Sequence, residues 1–245
     1  MNITEQENII FSAWCHAIED PGAQFVIDGV PSPLQFEMST TRCVFVLKEV
    51  NFSPADKSTN DFDLRQQLRD EPHPWWRDVA RWCASISALH AGEQPTWESL
   101  TTLAQDKELM RQALQPFAFM QMKKTTGGGM VVHNDFNARV DKDAARIVSQ
   151  LALYRPKIII GCGIAEHLVT ICGGGGLAHD HARSSLLPHQ ARRSTGASDR
   201  SAPPIGTGRQ TYTLFFFGRR LPRNYLHLIY WMHHQRRSPR LISCC

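Results

Sequence analysis

The chain has 245 residues, 42% of them hydrophobic, and a formal net charge of +4, enough apolar material for one α/β domain or two small ones. No apolar run approaches the roughly 20 residues of a membrane-crossing helix, and Leu214-Phe-Phe-Phe217 is far too short. Seven cysteines, at 15, 43, 83, 162, 172, 244 and 245, make an odd count with no Cys-x-x-Cys, which argues against a disulfide scaffold and against a cysteine-built zinc or cluster site.

At the N-terminus, Met-Asn-Ile-Thr-Glu-Gln-Glu lacks the basic and apolar sections of a signal peptide, so a cytoplasmic location is expected. Thr4-Glu-Gln-Glu7 reads as a capping box, with Ile10, Trp14 and Ile18 following at helical spacing. A loop with Pro21-Gly22 and Pro31-Ser-Pro33 leads to a continuous β-branched run, 43–48, that ends in Lys48-Glu49-Val50-Asn51. Strands covered on both faces read this way. A polar stretch, 51–60, has turn formers and no apolar period. Pro74 opens a helix in which Trp75, Val79, Trp82, Cys83 and Ile86 form one apolar stripe. Those tryptophans are expected in the core. Another helix follows Thr96 and uses Leu100, Leu103 and Leu114.

A second buried strand, 117–122, meets Lys123, Lys124 and a glycine loop, 127–129. Asn137 reads as the cap of a helix with Val140, Ala144, Ile147, Val148 and Leu151 on one face. Ile158–Ile160 is a third strand, and Gly161-Cys-Gly163 turns into a short helix through Leu168. Residues 172–210, rich in Arg, Gly, Ser, His and Pro, read as a long loop or disorder. A fourth strand, 211–217, and a helix from Pro222 close the chain.

Strands separated by helices imply a parallel sheet. The expected fold is one three-layer α/β/α domain with a four-stranded, mainly parallel sheet, an N-terminal helical extension over 1–40, and the loop 172–210. Ligands of open α/β sheets bind beyond the carboxyl ends of the strands, so Lys48, Glu49 and Asn51 are the first candidates for chemistry. Neither glycine cluster, 127–129 or 173–176, has the spacing of a P-loop or a dinucleotide fingerprint. His179-Asp180-His181, near Cys172 and His189, lacks the paired spacing of a zinc site and reads as a solvated loop. No metal or cofactor is expected.

Charge is lopsided: residues 172–245 carry eleven Arg and no Lys against Asp180 and Asp199, a net +9, leaving −5 elsewhere. Such a basic segment is either a solubilising loop or the footprint of a nucleic-acid binder.

Three short runs, Phe-Val-Leu-Lys-Glu-Val-Asn, Phe-Met-Gln-Met-Lys-Lys and Leu-Tyr-Arg-Pro-Lys-Ile-Ile-Ile-Gly-Cys-Gly, resemble the uracil-DNA glycosylase superfamily in order and type over about residues 40–235. The resemblance implies that fold and a monofunctional DNA glycosylase, acting on duplex DNA as a monomer. It implies Glu49, with Asn51, as the catalytic residues that activate water. Phe52 is then the aromatic stacked on the extruded base, Gln121 the amide reading its edge, and Lys48 a third base-pocket residue. Lys123, Lys124, Arg219, Arg220 and Arg223 are the candidate DNA contacts. The histidine motif usual after the family's last strand is absent; Phe217-Gly-Arg-Arg-Leu-Pro-Arg-Asn224 stands there instead.

Where the uracil enzymes have a glycine-rich first motif, this chain has Lys48 and Val50, which implies a differently shaped pocket. The likeness is strongest to the phage-defence branch, which removes α-glucosyl-hydroxymethylcytosine from phage DNA. Three other readings stand beside it: a uracil-type repair enzyme, a catalytically silent DNA-binding module on the same fold, and a hydrolase or transferase acting on a free nucleoside or sugar. Chemically, base release builds an oxocarbenium-like sugar and an anionic leaving base, so a carboxylate near the sugar and donors near the base both help. A neighbouring lysine, whether Lys48, Lys123 or Lys124, favours the charged form of such a carboxylate.

Overall fold

The computed structural model describes residues 1–18, 24–50, 61–127, 133–172 and 212–216. Asn51, Phe52, Arg219, Arg220 and Arg223, the loop 172–210 beyond Cys172, the His179–His181 run and the helix from Pro222 lie outside them.

Helix α1 spans Ile3–His16, but its cap is not the expected one. Asn2 accepts from the Glu5 backbone N–H while the Glu5 side chain accepts from that of Asn2, so the capping box sits two residues early. That shift turns Glu7 inward, where it is buried with Phe11 and Trp14. The loop expected before the first strong strand contains two short elements, β1 (Val26–Ile27) and α2 (Pro33–Met38). Strand β2 is Cys43–Leu47. After the polar stretch come β3 (Phe62–Asp63), paired parallel to β1, and α3 (Leu64–Asp70).

Pro74 opens a 3-10 turn, Pro74–Trp76, which runs into α4 (Arg77–His90). Trp76, Cys83 and Ile86 are buried and Trp82 stacks on Phe45, but Trp75 is 66% exposed. The stripe therefore excludes Trp75, because the tight turn faces it outward, one residue from buried Trp76. The helix expected after Thr96 is two: α5 (Trp97–Gln105), capped by Thr96, and α6 (Lys107–Leu114), capped by Asp106. Strand β4 is Ala118–Gln121. Helix α7 spans His133–Tyr154, so Asn137 lies inside it and does not cap it. Strand β5 is Ile158–Cys162, α8 is Ala165–Ile171, and β6 is Tyr212–Phe216.

The fold is mixed α/β. Strands β4, β2 and β5 are parallel, with Phe45 opposite both Phe119 and Ile160, and β6 pairs antiparallel to β5. Alternation along the strands divides the core in two. Val44, Val46, Ala118, Met120 and Ile159 meet α1, α7 and α8 on one face. Cys43, Phe45, Phe117, Phe119, Ile158 and Ile160 meet α3, α4 and α6 on the other. In the strand order β4-β2-β5-β6, the chain leaves β2 for one neighbour, then crosses over β2 to the other. Crossovers of one hand running in opposite directions must put their helices on opposite faces, which is the division observed. The carboxyl end of β2 is thus a topological switch point, the place where such sheets leave a crevice.

The outer edge of β4 is not bare. Gly29 exchanges backbone hydrogen bonds with Phe119 at 2.7 and 2.9 Å, and Val26 N–H donates to the Lys124 carbonyl at 2.7 Å. Between those points the Asp28 carboxylate accepts from the Gln121 backbone N–H, replacing a missing ladder bond. Gly29 has φ +120°, and a Cβ there would lie 2.1 Å from Glu7 Oε1. Only glycine permits that close approach. Helix α1 is part of the main core through this contact and through its packing on α7.

Candidate functional site

Past Leu47, β2 continues to pair with the chain leaving β4. Met122 N–H donates to the Leu47 carbonyl at 2.9 Å and Lys123 N–H to that of Lys48 at 3.0 Å. These bonds hold Lys48, Glu49 and Lys123 side by side at the switch point. Glu49 turns out of water, its side chain only 2% exposed. Its Oε2 lies 2.8 Å from Lys123 Nζ, an ion pair whose alignment is not that of a hydrogen bond, so Oε2 has no hydrogen-bond partner among the described residues. Lys123 Nζ also donates to Asp135 Oδ2 at 2.7 Å, from the first turn of α7. Desolvation works against the Lys123 ammonium, but Asp135 and Glu49 outweigh it and hold its pKa above the ordinary lysine value.

Lys48 lies beside the turn after β5: a Cβ on Gly163, whose φ is +71°, would sit 3.6 Å from Lys48 Cε. Three strand ends therefore meet here, contributing Lys48 and Glu49, Lys123, and Gly163. Gln121, at the last position of β4, is buried, and its Oε1 has no hydrogen-bond partner among the described residues. A buried amide oxygen left unpaired costs about 1–3 kcal/mol.

Lys124, expected to contact DNA, is elsewhere. Its side chain is 0% exposed and its ammonium pairs with Asp28 on the α1–α7 side of the sheet. One residue beyond Lys123, it faces the opposite way and cannot reach a phosphate. Around it runs a buried network that sequence reading missed. Glu7 accepts from Arg65 at 2.8 Å, Val30 N–H at 2.9 Å and Tyr154 Oη at 3.0 Å. Gln150 Nε2 donates to Tyr154 Oη at 2.7 Å and to Asp28 Oδ1 at 2.8 Å. Burial pushes Glu7 up to about 7, against the pull of Arg65, Val30 and Tyr154. Burial likewise draws Lys124 below its ordinary value, with Asp28 opposing.

Both missed acids left a trace in the sequence. Asp28 is a lone acid ending the apolar run Phe25-Val-Ile, and Asp135 stands just after the glycine loop, at a helix start. Among the described residues no group of three His, Cys, Asp or Glu gathers to hold a metal ion, and no helix is long and apolar enough to cross a membrane. A separate open groove of about 310 Å³ lies between α7 and α8, lined by Asn137, Asp141 and His167, and contains none of the expected site residues.

No protein-family model, curated protein or solved structure matches this chain, so the reading of the site rests on its own residues.

Proposed function

We propose that this protein is a monofunctional DNA glycosylase that hydrolyses the N-glycosidic bond of a modified base swung out of the duplex. The observation that carries the reading is the Glu49 carboxylate, withdrawn from solvent at the switch point and 2.8 Å from Lys123 Nζ. In the reaction, water adds to C1′ of the sugar as the C1′–N bond breaks. The bond pair leaves with the base, Glu49 accepts the water proton, and an abasic site remains. The same carboxylate offsets positive charge growing on the sugar.

The unpartnered Gln121 Oε1 is an acceptor for an N–H on the edge of the base, and the cost of leaving it bare is removed when such a base arrives. Flipping costs a few kcal/mol, which phosphate contacts from the arginines of 172–245 would offset. The substrate we favour is α-glucosyl-hydroxymethylcytosine of phage DNA, the expectation drawn from the three short sequence runs that end in Asn51, Lys124 and Gly163. Lys48 and Val50, in place of glycine, further imply a pocket unlike that for uracil.

The test is a panel of duplexes carrying glucosylated hydroxymethylcytosine, plain cytosine or uracil, followed by alkaline cleavage of abasic sites. Strand breaks are expected with the glucosylated base, and Glu49→Gln should lower the single-turnover rate by about 10²–10⁴-fold. Breaks with uracil alone would refute the phage substrate. Binding without breaks on any duplex would reduce the protein to a DNA-binding module.

A further inference from the structure

Of the two lysines that follow β4, Lys123 faces the site, yet its surroundings do not suit a phosphate. Its ammonium already sits between two carboxylates, 2.8 Å from Glu49 Oε2 and 2.7 Å from Asp135 Oδ2, and its side chain is 10% exposed. With Lys48 beside them, two carboxylates match two ammoniums, so Lys123 brings no unmatched positive charge to a phosphodiester. The backbone bond from Lys123 N–H to the Lys48 carbonyl fixes the root of the side chain beside the end of β2. Asp135 stands in the first turn of α7, where a helix N-terminus favours an acid. The cation is therefore held from both ends.

Resting on the glycosylase reading, we infer that Lys123 is a positioning residue for Glu49 rather than a DNA contact, and that Asp135 holds Lys123 in place. A lone carboxylate at a strand end has several rotamers open to it. Attraction to a fixed ammonium selects the one in which Oε2 lies against Lys123 at the switch point.

Phosphate contact and positioning separate cleanly in solution. Lys123→Met, Lys123→Arg and Asp135→Asn are compared with the parent for single-turnover base release at saturating protein and for duplex affinity across a salt series. Positioning predicts that Lys123→Met slows release by about 10–100-fold at an affinity within about twofold of the parent. Its salt slope should be unchanged. Lys123→Arg restores most of the rate, and Asp135→Asn loses less than Lys123→Met. A phosphate contact predicts the reverse, uniformly weaker binding with the salt slope reduced by about one and an unaltered saturated rate. That result would overturn the inference.

If the parent releases no base from any duplex, the glycosylase reading fails on its own. The Lys123–Glu49 contact is then decided by a double-mutant cycle in urea, with Lys123→Met, Glu49→Gln and their combination. The lysine substitution should lower the unfolding midpoint more when Glu49 is present than when it is Gln, because it strands a buried carboxylate. Additive midpoints would sink the pairing.

Discussion

Lys123 and Lys124 are adjacent in the chain and identical in chemistry, and the fold uses them in opposite ways. Lys123 stands at the end of the sheet, bridging Glu49 and Asp135, the latter 57% exposed. Lys124 is sealed in the core with Asp28, against the rings of Phe11 and Trp14, its ammonium 5.5 and 5.0 Å from their centroids. The difference comes from strand parity, which sends neighbours to opposite faces. At the rim Lys123 keeps one exposed partner, Asp135, beside the buried Glu49. In the core every charge must be matched, which is why Asp28 also gathers Gln121 N–H and Gln150. Among the described residues the strand ends leave Gln121 Oε1 without a hydrogen-bond partner, whereas the network around Asp28 and Glu7 ties three helices and the edge of β4 together.

The sharpest way to break this comparison is to remove each lysine in turn. Lys124→Met strands the buried Asp28 carboxylate and should cost about 3–5 kcal/mol in urea unfolding. Lys123→Met should cost less, since Lys123 is 10% and Asp135 57% exposed while Lys124 and Asp28 are fully buried; equal losses would show that parity had not separated the two sites.

Next in size is the pH dependence of the core network. Glu7 has its pKa raised to about 7 from an ordinary 4.5, so between those values the folded state holds a proton that the unfolded chain has released. The contribution is present at low pH and is lost as pH rises through about 7, on the order of 3 kcal/mol. Thermal unfolding from pH 4.5 to 7.5 should show that decline, and Glu7→Gln should flatten it. An unchanged slope in the variant would place the titration elsewhere.

Smaller effects test the local corrections. Asn2→Ala should lower stability by about 1 kcal/mol by removing the α1 cap, while Thr4→Ala, if Asn2 is the cap, should cost much less in the same denaturation assay. Smallest of all, Trp75→Ala should change stability by no more than about 0.5 kcal/mol, in contrast with buried Trp76 one residue on. A large loss at Trp75 would return it to the core.

How much of this was legible beforehand differs by level. The runs at 43–48, 117–122 and 158–160 are largely apolar, and they are the three parallel strands to within two residues at either end. Glu49's place at a strand end followed from where its run stops. The partner of Glu49 did not follow, because Lys48, Lys123 and Lys124 were equal candidates until pairing of the strands set their directions. Glu7 was misread because a capping motif two residues early fits the local sequence as well, and only Arg65 and Tyr154, 58 and 147 residues away, reveal its burial.

Hydrophobic period and run length, being local properties of the chain, determined the strand segments, most helices and the carboxylate at the end of β2. The tertiary structure alone decided which charges are paired and which are buried. Those outcomes depend on Coulombic and hydrogen-bond contacts between residues distant in sequence, brought together when β4 and β5 dock on either side of β2.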